Sequence, residues 1–85
     1  MEIIPINKND LEFIKKLYPY FSVLIKNNNI YLKLSRSEME KLLEKLSTKL
    51  IKEGLKLDDE PNEIGIHIES LIDLFSRYFY LNNLD

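Results

Sequence analysis

Apolar residues recur at helical spacing in the middle of the chain. At about 100° per residue, one stripe collects Met39, Leu42, Leu43, Leu46 and Leu50. Ser35 stands three residues before Glu38, which is the spacing of a capping box that starts a helix at Arg36. Gly54 lies where a left-handed C-terminal cap would end that helix. The pattern predicts a long amphipathic helix between Arg36 and Gly54.

A second stripe of helical period follows Pro61, a residue that the first turn of a helix accepts. Its members are Ile64, Ile68, Leu71, Ile72, Phe75, Tyr78 and Phe79. Residues 64–68 also alternate apolar with small or polar side chains, as a strand would, and Gly65 costs a helix about 1 kcal/mol relative to Ala. Because the 3.6-residue period continues to Phe79, we predict a second long helix that ends near residues 81–83, with a strand over 64–68 as the alternative.

Alternation with a period of two marks a β-hairpin between residues 20 and 34. The alternating apolar residues are Phe21, Val23, Ile25, Ile30, Leu32 and Leu34. Residues 27–29 are all asparagine, which tolerates the positive φ of a tight turn. A two-residue turn pairs residues whose numbers sum to an odd total, so Ile25 faces Ile30 or Leu32 and the apolar faces agree. A three-residue loop would mismatch these faces.

The N-terminal segment predicts an extended stretch and then a short helix. Residues 1–6 read as an edge strand or coil, because Pro5 cannot donate to a ladder and favours extended backbone before it. Asn9 precedes Glu12 by three residues, a variant of the capping box. The helical apolar positions that follow are Leu11, Ile14, Leu17 and Tyr18. Pro19 is expected to end this helix.

These elements predict a single small α+β domain over residues 1–85. We expect a β-hairpin, with or without a third edge strand, packed against two long amphipathic helices and one short N-terminal helix. A chain of 85 residues supports one hydrophobic core. Its apolar runs are far shorter than the roughly 20 residues that span a bilayer, and it opens with Met-Glu rather than a basic and then apolar leader. We therefore expect a cytoplasmic protein that binds no membrane.

The net charge of −2 conceals an uneven distribution of charge. Residues 1–56 hold 11 of the 12 Lys and Arg side chains, whereas residues 57–85 hold Arg77 and half of the 14 Asp and Glu side chains. One flank of the first long helix carries Lys41, Lys45, Lys49 and Lys52. Acids cluster at the start of the second long helix, where the helix dipole favours them, so capping and solvation explain part of this pattern.

The sequence has few residues of the types that catalysis or metal binding uses. There is no cysteine and only one histidine, His67, which with Glu63 forms an i, i+4 pair near Asp59. Such a set is a weak zinc site without a second histidine. Gly54 and Gly65 are the only glycines, which excludes a glycine-rich phosphate loop. We expect no enzymatic activity, no cofactor and no bound metal.

These exclusions leave a binding surface as the expected functional feature. We expect a non-enzymatic protein-binding module that masks a basic partner protein, such as a nuclease at its nucleic-acid groove. Small acidic immunity proteins, antitoxins and phage-encoded inhibitors are analogous in size and charge, though not in motif. The expected contact residues are Asp58, Asp59, Glu60, Glu63, Glu69 and Asp73, with Tyr80 as an aromatic anchor.

Two alternatives stay open at this point. The lysine-lined helix face, together with Tyr31 as a stacking ring, would suit a nucleic-acid-associated or regulatory protein, although a pI near 5.4 and only two arginines make nucleic acid the less favoured partner. A homodimer through the hairpin edges or the Tyr31 face is the second alternative. Tyr20 and Leu24 share that outer face, which is either covered by the N-terminal elements or left open.

Overall fold

The computed structural model describes the backbone of residues 2–81 and the side chains of residues 2–79. Over these residues the chain forms β1 (Glu2–Ile6), α1 (Lys8–Leu17), β2 (Ser22–Lys26), β3 (Asn29–Leu34), α2 (Arg36–Glu53) and α3 (Glu63–Leu81). Three antiparallel strands and three helices confirm the expected α+β class. The chain divides into two compact units, Met1–Leu42 and Leu43–Asp85, and α2 begins in the first and ends in the second. That the whole chain acts as a single domain stays a prediction.

The sheet of the first unit has the order β1-β3-β2. The optional third strand is therefore present, and it pairs with β3 rather than with β2. Ile4 and Val23 lie on either side of Leu32, while Pro5 and Leu24 lie on either side of Tyr31. Both ladders are antiparallel, so β3 is central and β1 and β2 are the two edges.

The hairpin turn has the predicted length of two residues. Asn27 and Asn28 have φ values of 52° and 65°, the left-handed conformation that both central residues of a type I′ turn adopt. Lys26 lies opposite Asn29 and Ile25 opposite Ile30, which is the odd-sum register expected from the apolar pattern. The observed pairing confirms the predicted register. It forms because the turn length and the hydrophobic alternation favour the same pairing.

The core of the first unit is built on β1 and β3. Its buried side chains are Ile4, Ile6, Leu11, Ile14, Tyr18, Leu32, Leu34, Met39 and Leu42. Val23 and Ile25 project on the same sheet face as Leu32, yet they are 37% and 70% exposed. All five residues of β2 are exposed. The apolar face of the sheet is therefore buried at β1 and β3 and becomes exposed at β2.

The cap of α1 differs from the one predicted. The structure begins the helix at Lys8 with Asn7 as N-cap, whose Oδ1 accepts a hydrogen bond from the Asp10 amide at 2.8 Å. The Nδ2 of Asn7 donates back to Asp10 Oδ2 at 3.0 Å. The prediction of Asn9 as the cap was wrong, because β1 ends at Ile6 and leaves Asn7 as the one residue between strand and helix. The C-terminal end is as expected, since Tyr18, before Pro19, is already extended.

The start of α2 is the predicted capping box. The amide of Ser35 donates to Glu38 Oε1 at 2.8 Å, and the Glu38 amide donates to Ser35 Oγ at 3.1 Å. The C-terminal end of α2 is not capped as predicted, because neither of the described glycines has a positive φ. Gly54 is therefore not a left-handed cap, and the prediction that it is one was wrong. It is buried instead, and its role is steric.

In the second unit, α3 is helical throughout residues 64–68, which confirms the helix and excludes the strand alternative. The fully buried side chains of this unit include Leu46, Ile68, Leu71 and Phe75. The helix starts two residues later than Pro61 suggested, because Asn62 is the residue whose Oδ1 accepts from the Gly65 amide at 2.8 Å. Pro61 thus precedes the cap, and its predicted place in the first turn was wrong. The expected end at residues 81–83 lies partly outside the described residues.

Candidate protein-binding surface

The connection between α2 and α3 is a short, hydrogen-bonded reverse loop. The Asn62 amide donates to the Gly54 carbonyl at 2.9 Å, and the Lys56 amide donates to the Glu60 carbonyl at 2.7 Å. Leu55 and Pro61 form an isolated antiparallel bridge between these two bonds. The two sides of the loop are therefore tied together, and residues 57–59 are left at its tip.

The base of the loop is closed by two glycines. A Cβ on Gly54 would lie 2.9 Å from the Cα of Gly65, and a Cβ on Gly65 would overlap the Gly54 carbonyl. Asn62 links the same two helix ends, because its Nδ2 donates to the Glu53 carbonyl at 2.9 Å while its Oδ1 caps α3. One side chain thus satisfies backbone groups at the end of α2 and at the start of α3.

Four of the expected contact residues lie on this loop and the first turn that follows it. Asp58, Asp59 and Glu60 occupy the tip and the returning side, and Glu63 is the first residue of α3; all four are exposed. Asp58 Oδ1 accepts a hydrogen bond from the Glu60 amide at 3.2 Å, and the Asp59 amide donates to the Lys56 carbonyl at 3.0 Å. The carboxylates are therefore carried by a loop with a defined backbone.

The two remaining acids, Glu69 and Asp73, are exposed and lie one turn apart on α3. Ile66 lies three residues after Glu63 and three before Glu69, and at about 100° per residue it falls between them around the helix axis. Its side chain is 60% exposed. The six acids are here called the acidic surface, and Ile66 lies between two of them, Glu63 and Glu69, on α3.

Tyr80 belongs to the final turn of α3, but its side chain lies outside the described residues. The expected aromatic anchor therefore stays a prediction. Two apolar residues that the sequence patterns did not single out are exposed beside the acids: Ile66 on α3 and Leu57 at the loop tip, which is fully exposed. The sequence does carry a signal for both, because Ile66 falls off the apolar stripe and Leu57 directly precedes Asp58.

The lysine-lined face of α2 is partly engaged within the chain. Lys41, Lys45 and Lys52 are exposed. Lys49 is half-buried and its Nζ forms an ion pair with Glu53 Oε2 at 2.8 Å, one turn further along the helix. The carboxylate of Glu53 reduces the positive potential of this face near the end of α2.

The outer hairpin face is open. Tyr20 and Leu24 are exposed, and Tyr31 is half-buried between its cross-strand neighbours Pro5 and Leu24. The ring of Tyr20 makes an edge contact with that of Tyr18 at 5.4 Å between centroids. β1 extends the sheet sideways instead of covering this face, and Tyr20 and Leu24 stay 72% and 40% exposed.

Across the described part of the chain, no three His, Asp or Glu side chains are grouped so that they could hold a metal ion. None of the helices, over the residues described, is long and apolar enough to cross a membrane. Comparison with protein-family models, with curated proteins and with solved structures gives no match. What the chain binds is therefore inferred from its own surface.

Proposed function

We propose that this protein is a non-enzymatic binding protein that masks a basic site on a partner protein with its acidic surface. The observation that carries the proposal is the position of Ile66, an exposed aliphatic side chain between Glu63 and Glu69. A patch with an apolar centre and a charged rim has the composition of a protein interface, in which the centre is desolvated and the rim selects the partner.

The acids and the apolar side chain have separate roles in this proposal. The carboxylates attract a positively charged partner and orient it before contact, which raises the association rate. Ile66 and Leu57 then lose their contact with water against the partner, which slows dissociation. We therefore expect binding to weaken with salt and to retain an apolar component at high ionic strength.

The loop geometry supports the proposal because it lowers the cost of binding. Asp58, Asp59 and Glu60 sit on a loop tied by backbone hydrogen bonds and closed by the contact of Gly54 with Gly65. A surface that is already held in one backbone conformation loses less conformational entropy when it binds. The acidic surface is therefore suited to direct docking.

The partner best matched to this surface is a protein whose working site is basic, such as a nuclease at its nucleic-acid groove. A carboxylate-rich surface competes there with phosphates for the same lysines and arginines. Immunity proteins, antitoxins and phage-encoded inhibitors act by such masking, and the analogy rests on size and charge, not on motif. We propose the cytoplasm as the site of this interaction.

The test is charge reversal with a matched control. The partner is first captured from source cells with the wild-type chain, identified and purified, and affinities are then measured by titration calorimetry. Glu63→Lys, Glu69→Lys and Asp73→Lys combined should weaken binding strongly. The control combines Glu12→Lys, Glu40→Lys and Glu44→Lys, which changes the net charge equally at exposed sites on α1 and α2. Equal affinity for the two triple variants would refute the acidic surface as the contact site.

Ile66→Ser tests the apolar centre without changing the net charge. We expect it to weaken binding by roughly 10-fold or more, as truncation of a buried interface side chain does. The expected loss is in the dissociation rate, whereas the charge reversal should lower the association rate. Surface plasmon resonance separates these two effects, and an unchanged dissociation rate for Ile66→Ser would show that Ile66 is outside the contact.

A further inference from the structure

The strand β2 forms one edge of the sheet. The sheet order β1-β3-β2 gives it one neighbour, β3, and all five of its residues are exposed. Its apolar side chains Val23, Leu24 and Ile25 are 37%, 40% and 70% exposed, and its free edge pairs with no other strand of the described chain. An uncovered edge strand with apolar side chains pairs readily with another strand unless a charge, proline or bulge prevents it.

The backbone groups at this edge follow from the hairpin register. Lys26 and Asn29 flank the two-residue turn and form a hydrogen-bonded pair. Because antiparallel pairs alternate, Ser22 and Leu24 also direct their N–H and C=O groups towards β3. Val23 and Ile25 direct theirs outward, which leaves unpaired donors and acceptors at the edge of the sheet.

The opposite edge of the sheet is protected in a way that β2 is not. By the same alternation, Ile4 and Ile6 bond to β3, and Pro5 occupies an outward position on β1. A proline has no N–H to offer there, so it interrupts the row of donors. The sheet can accept a further strand at β2, whereas Pro5 disfavours extension at β1.

We propose that β2 is a homodimerisation edge, which pairs antiparallel with β2 of a second copy of this chain about a twofold axis at Leu24. In this register Leu24 lies opposite Leu24 of the second copy, and Val23 lies opposite Ile25. Each Val23–Ile25 pair exchanges both of its outward backbone hydrogen bonds. Every residue of β2 is thereby paired, and the two sheets join into one.

The sequence of β2 is complementary to itself, which points to a second copy of this chain as the strand that pairs with it. The sequence Ser22-Val23-Leu24-Ile25-Lys26 places apolar residues opposite apolar residues when it pairs with itself in this register. Its one charged residue, Lys26, lies opposite Ser22, so no like charges face each other across the twofold axis. Since Pro5 disfavours addition at the other edge, the assembly closes at two copies instead of growing into a fibre.

The proposed contact between the two β2 strands is small, so we expect a low affinity. Five residues from each copy take part, against about 20–30 residues a side in stable complexes. The dimer should therefore be in reversible equilibrium with the monomer and become populated at high protein concentration. Sedimentation equilibrium up to millimolar concentration measures this directly.

A charge swap at the twofold axis provides the decisive test. Leu24→Lys and Leu24→Glu each place two like charges face to face, so each variant alone should sediment as a monomer. An equimolar mixture of the two should regain the dimer mass, because Lys and Glu then face each other. Ile3→Lys, on the same sheet face at the β1 edge, is the matched control and should dimerise as the wild type does. Circular dichroism shows whether each variant is folded.

Hydrogen exchange of the wild-type chain gives an independent measurement that needs no substitution. The amides of Val23 and Ile25 should become more protected as the concentration rises, while that of Leu24, already bonded to β3, should change little. The proposal is overturned if the wild type stays monomeric at millimolar concentration, if either Leu24 variant dimerises alone, or if the mixture fails to associate.

Discussion

Gly54 and Gly65 meet backbone to backbone where α2 ends and α3 begins. A Cβ on Gly54 would lie 2.9 Å from the Gly65 Cα and 2.8 Å from Leu50 Cδ1, and a Cβ on Gly65 would overlap the Gly54 carbonyl. Side chains are thus excluded at both positions by close approach. This contact closes the base of the loop that carries Asp58, Asp59 and Glu60.

Gly65→Ala should destabilise the protein. Helix propensity alone would favour the substitution by about 1 kcal/mol. The added methyl group has no space beside the Gly54 carbonyl, and overpacking of this kind costs about 1–3 kcal/mol. The free energy of unfolding from urea denaturation is the measurement, with Ser70→Ala, exposed on the same helix, as the control. A gain in stability for Gly65→Ala would contradict the close contact.

Asn62 should contribute to stability through two separable interactions. Asn62→Ala removes both the cap of α3 and the bond to the Glu53 carbonyl, and we expect a loss of about 1–2 kcal/mol. Asn62→Ser retains an oxygen that can cap the helix and loses the Nδ2 donor, so its loss should be smaller. Denaturant unfolding of the two variants measures the difference. Equal losses would mean that the capping oxygen contributes nothing.

Asn7 and Asn9 should behave differently when they are replaced by alanine. Asn7 caps α1 through the Asp10 amide, so Asn7→Ala should cost about 1 kcal/mol. Asn9 is exposed inside the first turn, where alanine is the better helix former, and Asn9→Ala should be neutral or slightly stabilising. Thermal unfolding followed by circular dichroism compares the pair. The reverse order would restore Asn9 as the cap.

Replacing Asn28 with a residue that disfavours left-handed backbone should destabilise the protein. Its φ of 65° costs a residue with an ordinary Cβ about 1–2 kcal/mol, so Asn28→Ala should lower the free energy of unfolding by roughly that amount. Asn28→Gly should be neutral or stabilising, because Asn-Gly is a preferred type I′ pair. Asn29→Ala, which begins β3, serves as the control. Equal effects at positions 28 and 29 would argue against the two-residue turn.

The lysine-lined face of α2 should not bind polyanions strongly. The chain has an acidic pI near 5.4, and Lys49 is already paired with Glu53. We expect weak retention on heparin at low salt, and little further change when Lys41, Lys45 and Lys52 are replaced by glutamine. Strong retention that the triple substitution abolishes would favour a nucleic-acid-associated function instead.

Local patterns predicted the parts of the fold that depend on neighbouring residues. The register of Ile25 opposite Ile30 followed from the turn length and the apolar alternation, and the bonds between Ser35 and Glu38 followed from their spacing. Asn7 was missed because the cap position depends on where β1 ends. Gly54 was misread because a glycine after a helix serves equally as a left-handed cap or as a point of close approach, and only a residue distant in sequence decides between them.

The sequence by itself determined the α+β class, the two-residue turn, the capping box of α2 and the division of charge, because local spacing and composition decide each of them. Tertiary structure alone decided that Gly65 packs on Gly54, that β2 lies at an exposed edge of the sheet, and how far Ile66, which lies off the apolar stripe, is exposed. These features depend on which surfaces the folded chain leaves without a neighbour. The proposed binding surfaces follow from that placement, since hydrophobic pattern shows which residues are apolar but not which of them stay in water.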